Sequence, residues 1–556
     1  MSSKPVDFQH AIEAIKLDVL TANTEGFRQE LPKLFNLFEG MAAEIMALRL
    51  ENQKLRDENN RLKGEQGKPN IRPQTKNKDI SSEVERRKIH NKLKKVRKSK
   101  AKKHKIKIDH QKRLSINKRN LPADAVFKGW ESVVVQDLRI NIEFLKATYY
   151  SPSERKTYRA ALPLGYEGEF GPVVHSMVIS LASDNSGMTQ PAIVSFLQTH
   201  GIFISAATVA RILSDGLDPL FHQEKNDIMQ AGKAASPFMH IDDTTARVNG
   251  KNNYTHVLCN PYFSAYVTLP RKDRMSIIEV LSQGAELLFK FGEKAFELMA
   301  LMGLPKKYLE ELQKSQTHLI LSRRELNCLL DQMFPNPKQG LKSRETILEA
   351  CAICAYQDSP EAVSILICDD APQFKLIASL LGLCWIHEGR HYKKLTPFLP
   401  ASQALIDQFL SDFWDFYEKL LAYKEASSSI AADALSQEFD ALFQRTTGYE
   451  QLDKRIAITF AKKEELLLVL KHAEIPLHNN SAELGARAKA RSRDVSFQTR
   501  SPEGTQAKDT LMTLAQTARK LGVNFFDYIY DRVARRYLMP SLASLIPTSR
   551  LCPNSS

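Results

Sequence analysis

Three acidic residues stand where predicted regular structure ends or turns, and together they could perform metal-dependent chemistry. Asp242 lies in a predicted strand, Asp369 directly follows the apolar run Ser364–Cys368 (SILIC), and Glu483 lies near the start of a predicted helix. Asn479 and Asn480 are predicted to cap that helix, which would aim the Glu483 carboxylate. Three carboxylates can hold two divalent ions about 3.5–4 Å apart, as phosphoryl transfer requires. Mg²⁺ (or Mn²⁺) suits such a site because it prefers oxygen ligands. A single acid would be weak evidence in a chain with 64 Asp and Glu.

The elements predicted around these acids follow one consistent order. PFMHIDDTTARV predicts a strand, Asn249-Gly250 a two-residue hairpin turn, and YTHVLCN and YFSAYVTL two further strands. A helix is predicted near 276–291, SILIC is a fourth strand, and LCWIH is a fifth short strand. This β-β-β-α-β-α-β-α order resembles the ribonuclease-H-like layout, in which strands one and four are neighbours. Asp242 and Asp369 would therefore meet at one edge of the sheet.

The residues around the three acids also resemble the motifs of one family, the insertion-sequence-66 (IS66) transposases, which are DDE enzymes. The resemblance covers about residues 120–540. The matching segments are His240–Thr244 (HIDDT, for H-x-D-E-T), Arg247–Gly250 (RVNG, for R-x-N-G), Ile367–Phe374 (ICDDAPQF, around the second acid), Cys384–Arg390 (CWIHEGR, for C-W-x-H-x-x-R) and Pro476–Glu483 (PLHNNSAE, for P-L-x-N-N-x-x-E).

The resemblance implies a DNA transposase that uses Asp242, Asp369 and Glu483 as catalytic and metal-binding residues with two Mg²⁺ (or Mn²⁺) ions. Such an enzyme would cut phosphodiesters at the ends of an insertion sequence and join the freed 3′-hydroxyl to target DNA. Accessory proteins of the same element are possible partners. Two alternatives stay open: an inactive, transposase-derived DNA-binding protein, and a nuclease of the same fold that performs no strand transfer.

The sequence departs from the family pattern at a few positions. Asp243 stands where the first motif has Glu, and His478 stands where the third motif commonly has Asp. The Cys-rich zinc knuckle that often precedes the family's catalytic domain is absent from this sequence, and a basic segment occupies that part of the chain. The way in which the chain binds DNA therefore follows less directly from the resemblance than the chemistry does.

That basic segment, residues 86–119, carries most of the net charge of the 556-residue chain. It contains 17 Lys and Arg and one acid, whereas the whole chain has a net charge of +14, so the remainder is close to neutral. Charge of this density predicts a segment that is disordered alone and binds a polyanion. A solvated charged face and a surface for acidic lipid are the alternatives. The predicted DNA contacts in this basic arm are Lys94, Lys95, Arg97, Lys98, Lys102 and Lys103.

Further DNA contacts are predicted outside the arm. TQPAIVSFLQTHGIFISAATVARIL resembles a helix-turn-helix whose second helix offers Arg211, although a structural helical hairpin is at least as probable. His387 and Arg390 are expected to face the active site or DNA, and Arg491 and Arg493 to contact phosphates near the cut strand.

The residues Cys384, His387 and His391 have spacings compatible with zinc. Zinc needs about four ligands, and the sequence offers no obvious fourth one nearby. Packing of Cys384 in the sheet is therefore the preferred interpretation, and a zinc site is the alternative.

Residues 27–63 carry a heptad pattern. One position holds Phe27, Leu34, Met41, Leu48, Leu55 and Leu62, and the other holds Leu31, Phe38, Ile45, Asn52 and Asn59. An Asn at the a position favours a dimer in fixed register, so the segment predicts a homodimer or higher oligomer through a coiled coil. A single amphipathic helix packed on the chain's own body is the alternative.

Composition excludes several classes of protein. The 43% hydrophobic and 26% charged residues are in the globular range. The sequence has no long apolar span and no signal peptide, and its seven Cys fit reduced thiols, so we expect a cytoplasmic protein acting on nucleoid DNA without membrane contact.

The predicted fold is α/β, with a ribonuclease-H-like catalytic core that carries large helical insertions. The predicted segments are 1–63 (coiled coil), 64–120 (linker and basic arm), 121–230 (small mixed segment with a helix-turn-helix-like region), 231–500 (catalytic domain, with insertions at about 292–360 and 401–472) and 501–556 (C-terminal helices and tail).

Overall fold

A computed structural model describes residues 24–62, 108–137, 140–183, 187–214, 217, 219–315, 319–336 and 340–547. The predicted DNA contacts of the basic arm, Lys94 to Lys103, lie outside the described residues. The chain divides into two compact units. Within the described residues, one unit is helical and comprises 24–62 and 388–463, and the other is an α/β unit that comprises 108–387 and 464–547.

The described chain contains both strands and helices, which confirms the α/β class. The strands are β1 (His110–Leu114), β2 (Val126–Asp137), β3 (Ile140–Ser151), β4 (Lys156–Arg159), β5 (Phe238–Val248), β6 (Lys251–Cys259), β7 (Ser264–Leu269), β8 (Leu288–Lys290), β9 (Ile320–Ser322), β10 (Ile365–Cys368) and β11 (Leu380–Leu383). The helices are α1 (Thr24–Leu62), α2 (Pro172–Ser183), α3 (Gln190–Thr199), α4 (Ala206–Ile212), α5 (Pro219–Ala235), α6 (Arg274–Leu281), α7 (Glu293–Leu301), α8 (Lys306–Ser315), α9 (Arg323–Met333), α10 (Leu341–Gln357), α11 (Trp385–Lys393), α12 (Pro400–Glu425), α13 (Ser429–Phe443), α14 (Glu450–Phe460), α15 (Lys463–Leu466), α16 (Asn480–Ser496), α17 (Pro502–Lys520), α18 (Phe525–Val533) and α19 (Leu542–Leu545).

The central sheet of the α/β unit has five strands in the order β11-β10-β5-β6-β7. Strands β5, β6 and β7 are antiparallel neighbours, whereas β10 runs parallel to both β5 and β11. The β5–β6 turn is the predicted Asn249-Gly250 pair, and both residues have positive φ (47° and 78°), as a type I′ hairpin turn requires.

The two strands that carry the predicted acids are neighbours in this sheet. Their register pairs Ile367 with His240, so Asp242 and Asp369 each follow a paired residue by two positions. Residues of strand β10 are all buried, as expected for a strand that is covered on both faces. The expected adjacency of the first and fourth strands is therefore present.

Helices α16 and α17 cover one face of the sheet. Gly485 in α16 lies so close to β6 that a Cβ atom there would be 2.6 Å from Val257 Cγ1. The Tyr266 hydroxyl donates to the Gly485 carbonyl at 3.2 Å. This close approach brings the start of α16 against the acid-bearing strand.

A buried ion pair joins the same elements. Asp509 in α17 accepts hydrogen bonds from the backbone N (2.7 Å) and hydroxyl (2.9 Å) of Thr268 in β7. It also pairs with Lys489 in α16, whose Nζ lies 2.7 Å away. Both side chains are buried. The pair therefore couples the sheet to both covering helices.

Some predicted elements are wrong. The helix expected near 276–291 ends at Leu281, and the following chain instead enters β8, which pairs antiparallel with β9 in a small two-stranded sheet. The strand expected over LCWIH ends at Leu383, and Trp385 begins helix α11. Trp385 is buried, and its backbone N donates to the Leu477 carbonyl rather than to a neighbouring strand. That long-range partner explains why a locally strand-like sequence becomes helical.

The predicted helix-turn-helix-like segment forms two helices, α3 and α4. Gly201 in the turn has a φ of 80°, and Ser205 caps α4 by accepting from the Thr208 N. Arg211 is exposed on α4. The elements are thus as predicted.

In the helical unit, the first part of α1 docks on other segments of the unit. The Asn36 side chain bonds Gly448 O and Glu450 N, and the Glu39 carboxylate accepts from the N atoms of Phe398 and Leu399. The seam residues Leu31, Leu34 and Met41 are half-buried there. The other described seam side chains are exposed, among them Phe38 (46%), Ile45, Leu48 and Leu55 (60%).

The described residues contain no helix with both the length and the hydropathy needed to cross a membrane.

Replacing Asp509 with Asn should destabilise the α/β unit by about 3–5 kcal/mol, because Lys489 would stay buried without its charge partner. Urea unfolding of the purified chain measures this change. Asp494→Asn, at an exposed position of α16, is the matched control and should change stability by less than about 0.5 kcal/mol. A loss below about 1 kcal/mol for Asp509→Asn would contradict a desolvated pair.

Candidate active site

Asp242 lies in the middle of β5 and is half-buried. Its Oδ1 accepts a hydrogen bond from the backbone N of Asp243 at 2.8 Å. Asp243 has partners of its own, since its carboxylate accepts from Gln373 Nε2 (2.8 Å) and lies 3.5 Å from Lys272 Nζ. The Lys272 ammonium and the Gln373 amide thus contact Asp243, so the two adjacent carboxylates have different environments.

Asp369 follows the last residue of β10. Its Oδ1 accepts from the Ala371 backbone N at 3.1 Å. The next residue, Asp370, instead pairs with Lys375, whose Nζ is 2.6 Å from Oδ1. As with Asp242 and Asp243, the second of the two adjacent acids is the one that pairs with a lysine.

Glu483 lies in the first turn of α16, as the sequence predicted. The predicted role of Asn479 as a side-chain cap is wrong, because its side chain makes no cap bond to this helix. Instead its Nδ2 donates to the Ile241 carbonyl (2.8 Å), and its Oδ1 accepts from His240 Nδ1 (3.0 Å). Asn479 thus connects the start of α16 to the two residues of β5 that precede Asp242.

Asn479 also connects to the strand-to-helix junction after β11. Its backbone N donates to Cys384 Sγ at 3.2 Å, and the Cys384 N donates to the Cys368 carbonyl at 3.1 Å. Asn479 therefore contacts β5 directly and is linked through Cys384 to Cys368, the residue that precedes Asp369. Sequence reasoning singled out this Asn, but a cap was the local role available to it, and the bonds it makes are to residues about 240 positions away.

Neighbouring carboxylates act electrostatically on Asp242. Burial is the main cause that raises the pKa of Asp242 to about 7, and the negative charges of Asp369, Asp243 and Glu483 add to the increase, while the hydrogen bond from the Asp243 backbone N acts in the opposite direction. Burial also raises the pKa of Asp369, while the hydrogen bond from the Ala371 N and the nearby His387 act in the opposite direction.

Carboxylates in such a place favour a divalent cation. Negative charge accumulates where burial weakens solvation, and the donor atoms of the three acids are all oxygens. These donors fit Mg²⁺ (or Mn²⁺), and Asp242, Asp369 and Glu483 are the residues that could hold it.

A second group of donors lies beside Glu483. Ligand atoms of Cys384, His387 and Glu483 all lie within 4.8 Å of one another, and His387 Nδ1 is 3.4 Å from Glu483 Oε1. His391, which the zinc interpretation required, lies in the helical unit and is not in this group. A closed zinc site needs about four ligands, and burial raises the pKa of the Cys384 thiol, which disfavours the thiolate that zinc requires.

The other predicted DNA contacts are distributed over several elements. The Arg493 guanidinium donates to the Thr245 carbonyl at 2.5 Å and to its hydroxyl, so it ties α16 to β5. Arg491 is exposed on α16. Arg390 lies in the helical unit, on the same helix as His391.

Residues 357–507 match the model of the family described as Transposase IS66 family, which confirms the resemblance to that family. The chain is also similar to an uncharacterized protein, y4jO, of Sinorhizobium fredii (strain NBRC 101917 / NGR234). The two are 28% identical over 317 residues, which cover 55% of this chain and 94% of that protein.

The raised pKa of Asp242 predicts a pH-dependent stability without metal. A folded pKa of about 7 against an ordinary value of 3.8 means that the carboxyl contributes stability below about pH 4 and that this contribution is lost as the pH rises through 7. Asp242→Asn should therefore unfold at a higher temperature than the parent at pH 8 in EDTA, with little difference at pH 4. Thermal unfolding across this pH range measures it, with Asp494→Asn as the control. Parallel pH curves for parent and Asp242→Asn would contradict the prediction.

Proposed function

We propose that this chain, whose residues 357–507 match the IS66 transposase family, cuts phosphodiesters at the ends of a DNA element and joins the freed 3′-hydroxyl to target DNA. The observation that carries the proposal is that Asp242 and Asp369 each lie two positions beyond the paired residues His240 and Ile367 of neighbouring parallel strands, while the charge of Glu483 reaches Asp242 from the covering helix. Three carboxylates supplied by two neighbouring strands and one covering helix are what two-metal phosphoryl transfer needs.

The proposed fold of the catalytic core is ribonuclease-H-like. The strand order β11-β10-β5-β6-β7 supports it, with three antiparallel strands followed by two that run parallel to the first. The helical segments between the acids, about 292–360 and 401–472, would then be insertions into this core.

In the proposed reaction, water attacks a phosphodiester at the element's end and releases a 3′-hydroxyl, which then attacks target DNA in line. Asp242, Asp369 and Glu483 would hold two Mg²⁺ (or Mn²⁺) ions, which, when bound, supply activation of the attacking oxygen and charge stabilisation of the leaving oxygen. The partial burial of Asp242 limits water at the reacting centre.

The remaining residues would position these groups. His387 lies 3.4 Å from Glu483 and orients its carboxylate, while Asn479 fixes the start of α16 against β5. Arg491, exposed on the same helix, is proposed to contact a backbone phosphate. The basic arm would supply the sequence-independent attraction to DNA.

We also propose that two chains pair through the exposed seam of α1. The seam residues Phe38, Ile45, Leu48 and Leu55 are exposed although the adjoining Leu37 and Glu39 are buried. The later part of the helix, from Ile45 onward, therefore leaves its heptad face available. A parallel coiled coil with Asn52 at an a position would cover it.

Joining of labelled element ends to a target plasmid tests the chemistry. Asp369→Asn, Asp242→Asn and Glu483→Gln should each lower the rate of cleavage and joining by about a thousandfold or more, because each removes a charged ligand. The reaction should also stop when EDTA removes the divalent ions.

Asp370→Asn is the matched control for Asp369→Asn, because Asp370 pairs with Lys375 and should leave joining nearly unchanged. Normal joining by any of the three acid variants would contradict the assignment. Cleavage without joined products in the parent would identify a nuclease rather than a transposase.

The pairing of α1 predicts a change of mass. The double variant Leu48→Glu/Leu55→Glu should convert a dimer into a monomer of 63.0 kDa in light-scattering measurements, because charges at seam positions repel across the interface. Lys54→Glu, exposed on another face of the same helix, should leave the dimer intact. A parent chain that is monomeric at the highest concentration tested would refute the pairing.

A further inference from the structure

The four-stranded sheet of β1, β2, β3 and β4 has two very different faces. On one face Val135, Ile142 and Phe144 form a buried core. Residues on the other face alternate with these and include the aromatic side chains of Phe127, Trp130, Tyr149 and Tyr158. This second face, the aromatic face, also carries Arg113 of β1 and Lys156 of β4.

A β-bulge brings two of these rings to the same face. Phe127 pairs with Tyr149, and Trp130 pairs with Ala147, so Lys128 is an extra residue in β2. Without the bulge, strand alternation would send Phe127 and Trp130 to opposite faces. Gly129 has a φ of 116°, a conformation that side-chain-bearing residues rarely adopt. The local sequence is therefore built to present both rings together.

The rings form a contiguous, water-facing cluster. The ring centroid of Phe127 lies 5.7 Å from that of Trp130 and 5.2 Å from that of Tyr149. Phe127 is 46% exposed and Trp130 is 43% exposed. A contiguous cluster of large apolar side chains on a protein surface is normally covered, so an exposed cluster of aromatic rings indicates a binding surface.

Cations lie beside the rings. The Arg113 guanidinium is 5.8 Å from the centroid of Trp130, and Lys156 Nζ is 5.3 Å from that of Tyr158. Residues 108–160 contain ten Lys and Arg against six Asp and Glu, and residues 86–119 are far more basic. This charge is complementary to a polyanion and opposes docking of a basic protein surface.

We propose that the aromatic face binds single-stranded DNA, with unpaired bases stacked on Phe127 and Trp130 and phosphates contacted by Arg113 and Lys156. Exposed rings on a sheet with adjoining cations are the combination that binds unpaired nucleotides. A duplex keeps its base faces stacked inside the helix, so only its phosphates could use this surface. The inference depends on neither the catalytic acids nor the chemistry proposed for them.

Intrinsic fluorescence tests the stacking directly. The chain has three Trp, and Trp130 is the exposed one, since Trp385 is fully buried and Trp414 is partly buried. Titration of the full-length chain with an oligo(dT) of about 12 nucleotides should quench this fluorescence as a base stacks on the indole. Trp130→Phe keeps an aromatic ring and should lose the quenching while retaining oligo(dT) binding in an anisotropy assay.

Affinity measurements test the contribution of the rings. At about 0.3 M salt, where the electrostatic attraction of the basic arm is weakened, Phe127→Ala and Trp130→Ala should each reduce oligo(dT) affinity by about 5- to 150-fold. Affinity for a duplex of the same length should change by less than twofold. Leu301→Ala, at a 70% exposed position of α7, is the control for loss of an exposed apolar side chain.

Three results would overturn the proposal. One is unchanged oligo(dT) affinity in both alanine variants, and another is an equal loss of duplex and single-strand affinity. The third is tighter binding of oligo(U) than of oligo(dT) to the parent, which would indicate RNA. Asp369→Asn should keep the fluorescence quenching, so failure of the proposed chemistry would leave this test intact.

Discussion

The burial of Asp242 beside other carboxylates is the constraint on which the proposed site depends. Burial and like charge raise the pKa of Asp242 to about 7, so these carboxylates are held together at a cost in stability. Because these buried carboxylates destabilise the fold, the surrounding elements must hold them rigidly. The parallel pairing of β5 with β10 supplies two of the acids, and the packing of α16 against β5 and β6 supplies the third.

Two long-range devices hold this arrangement. Asn479 connects α16 to β5 through Ile241 and His240, and its backbone contacts Cys384. The buried Asp509–Lys489 pair connects α17, α16 and β7 on the same side of the sheet. A buried ion pair is seldom the most stabilising choice, but it is intolerant of misalignment. It therefore suits a region in which the position of one carboxylate matters.

Two other surfaces expose apolar groups that the described part of the chain does not cover. The seam of α1 shows a heptad repeat beside a face that is docked, and the aromatic face shows rings brought together by a bulge. The exposed side chains repeat regularly on each surface, and charged residues beside them are complementary to one kind of partner. We infer a second copy of the chain for the first and unpaired DNA for the second, so that different surfaces would hold the assembly, the nucleic acid and the chemistry.

Local signals in the sequence determined much of the fold around the site. The apolar run SILIC, the Asn249-Gly250 turn and the heptads predicted β10, the β5–β6 hairpin and α1, because each depends on residues close in sequence. The sequence also predicted that Asp369 follows a strand and that Glu483 lies near the start of a helix, and it contained the family motifs. These are properties of spacing and residue type, which need no knowledge of what packs against them.

Only the tertiary structure decided the rest. Trp385 begins a helix because its backbone N and side chain bond Leu477 and Leu466, which no local pattern encodes. The Asn479 side chain bonds β5 instead of capping α16, and His387 lies beside Glu483, which is nearly a hundred residues away in the sequence. The aromatic face depends on which residue of β2 is left unpaired by β3. In each case the deciding contact joins distant segments, and its energy exists only after the chain has folded.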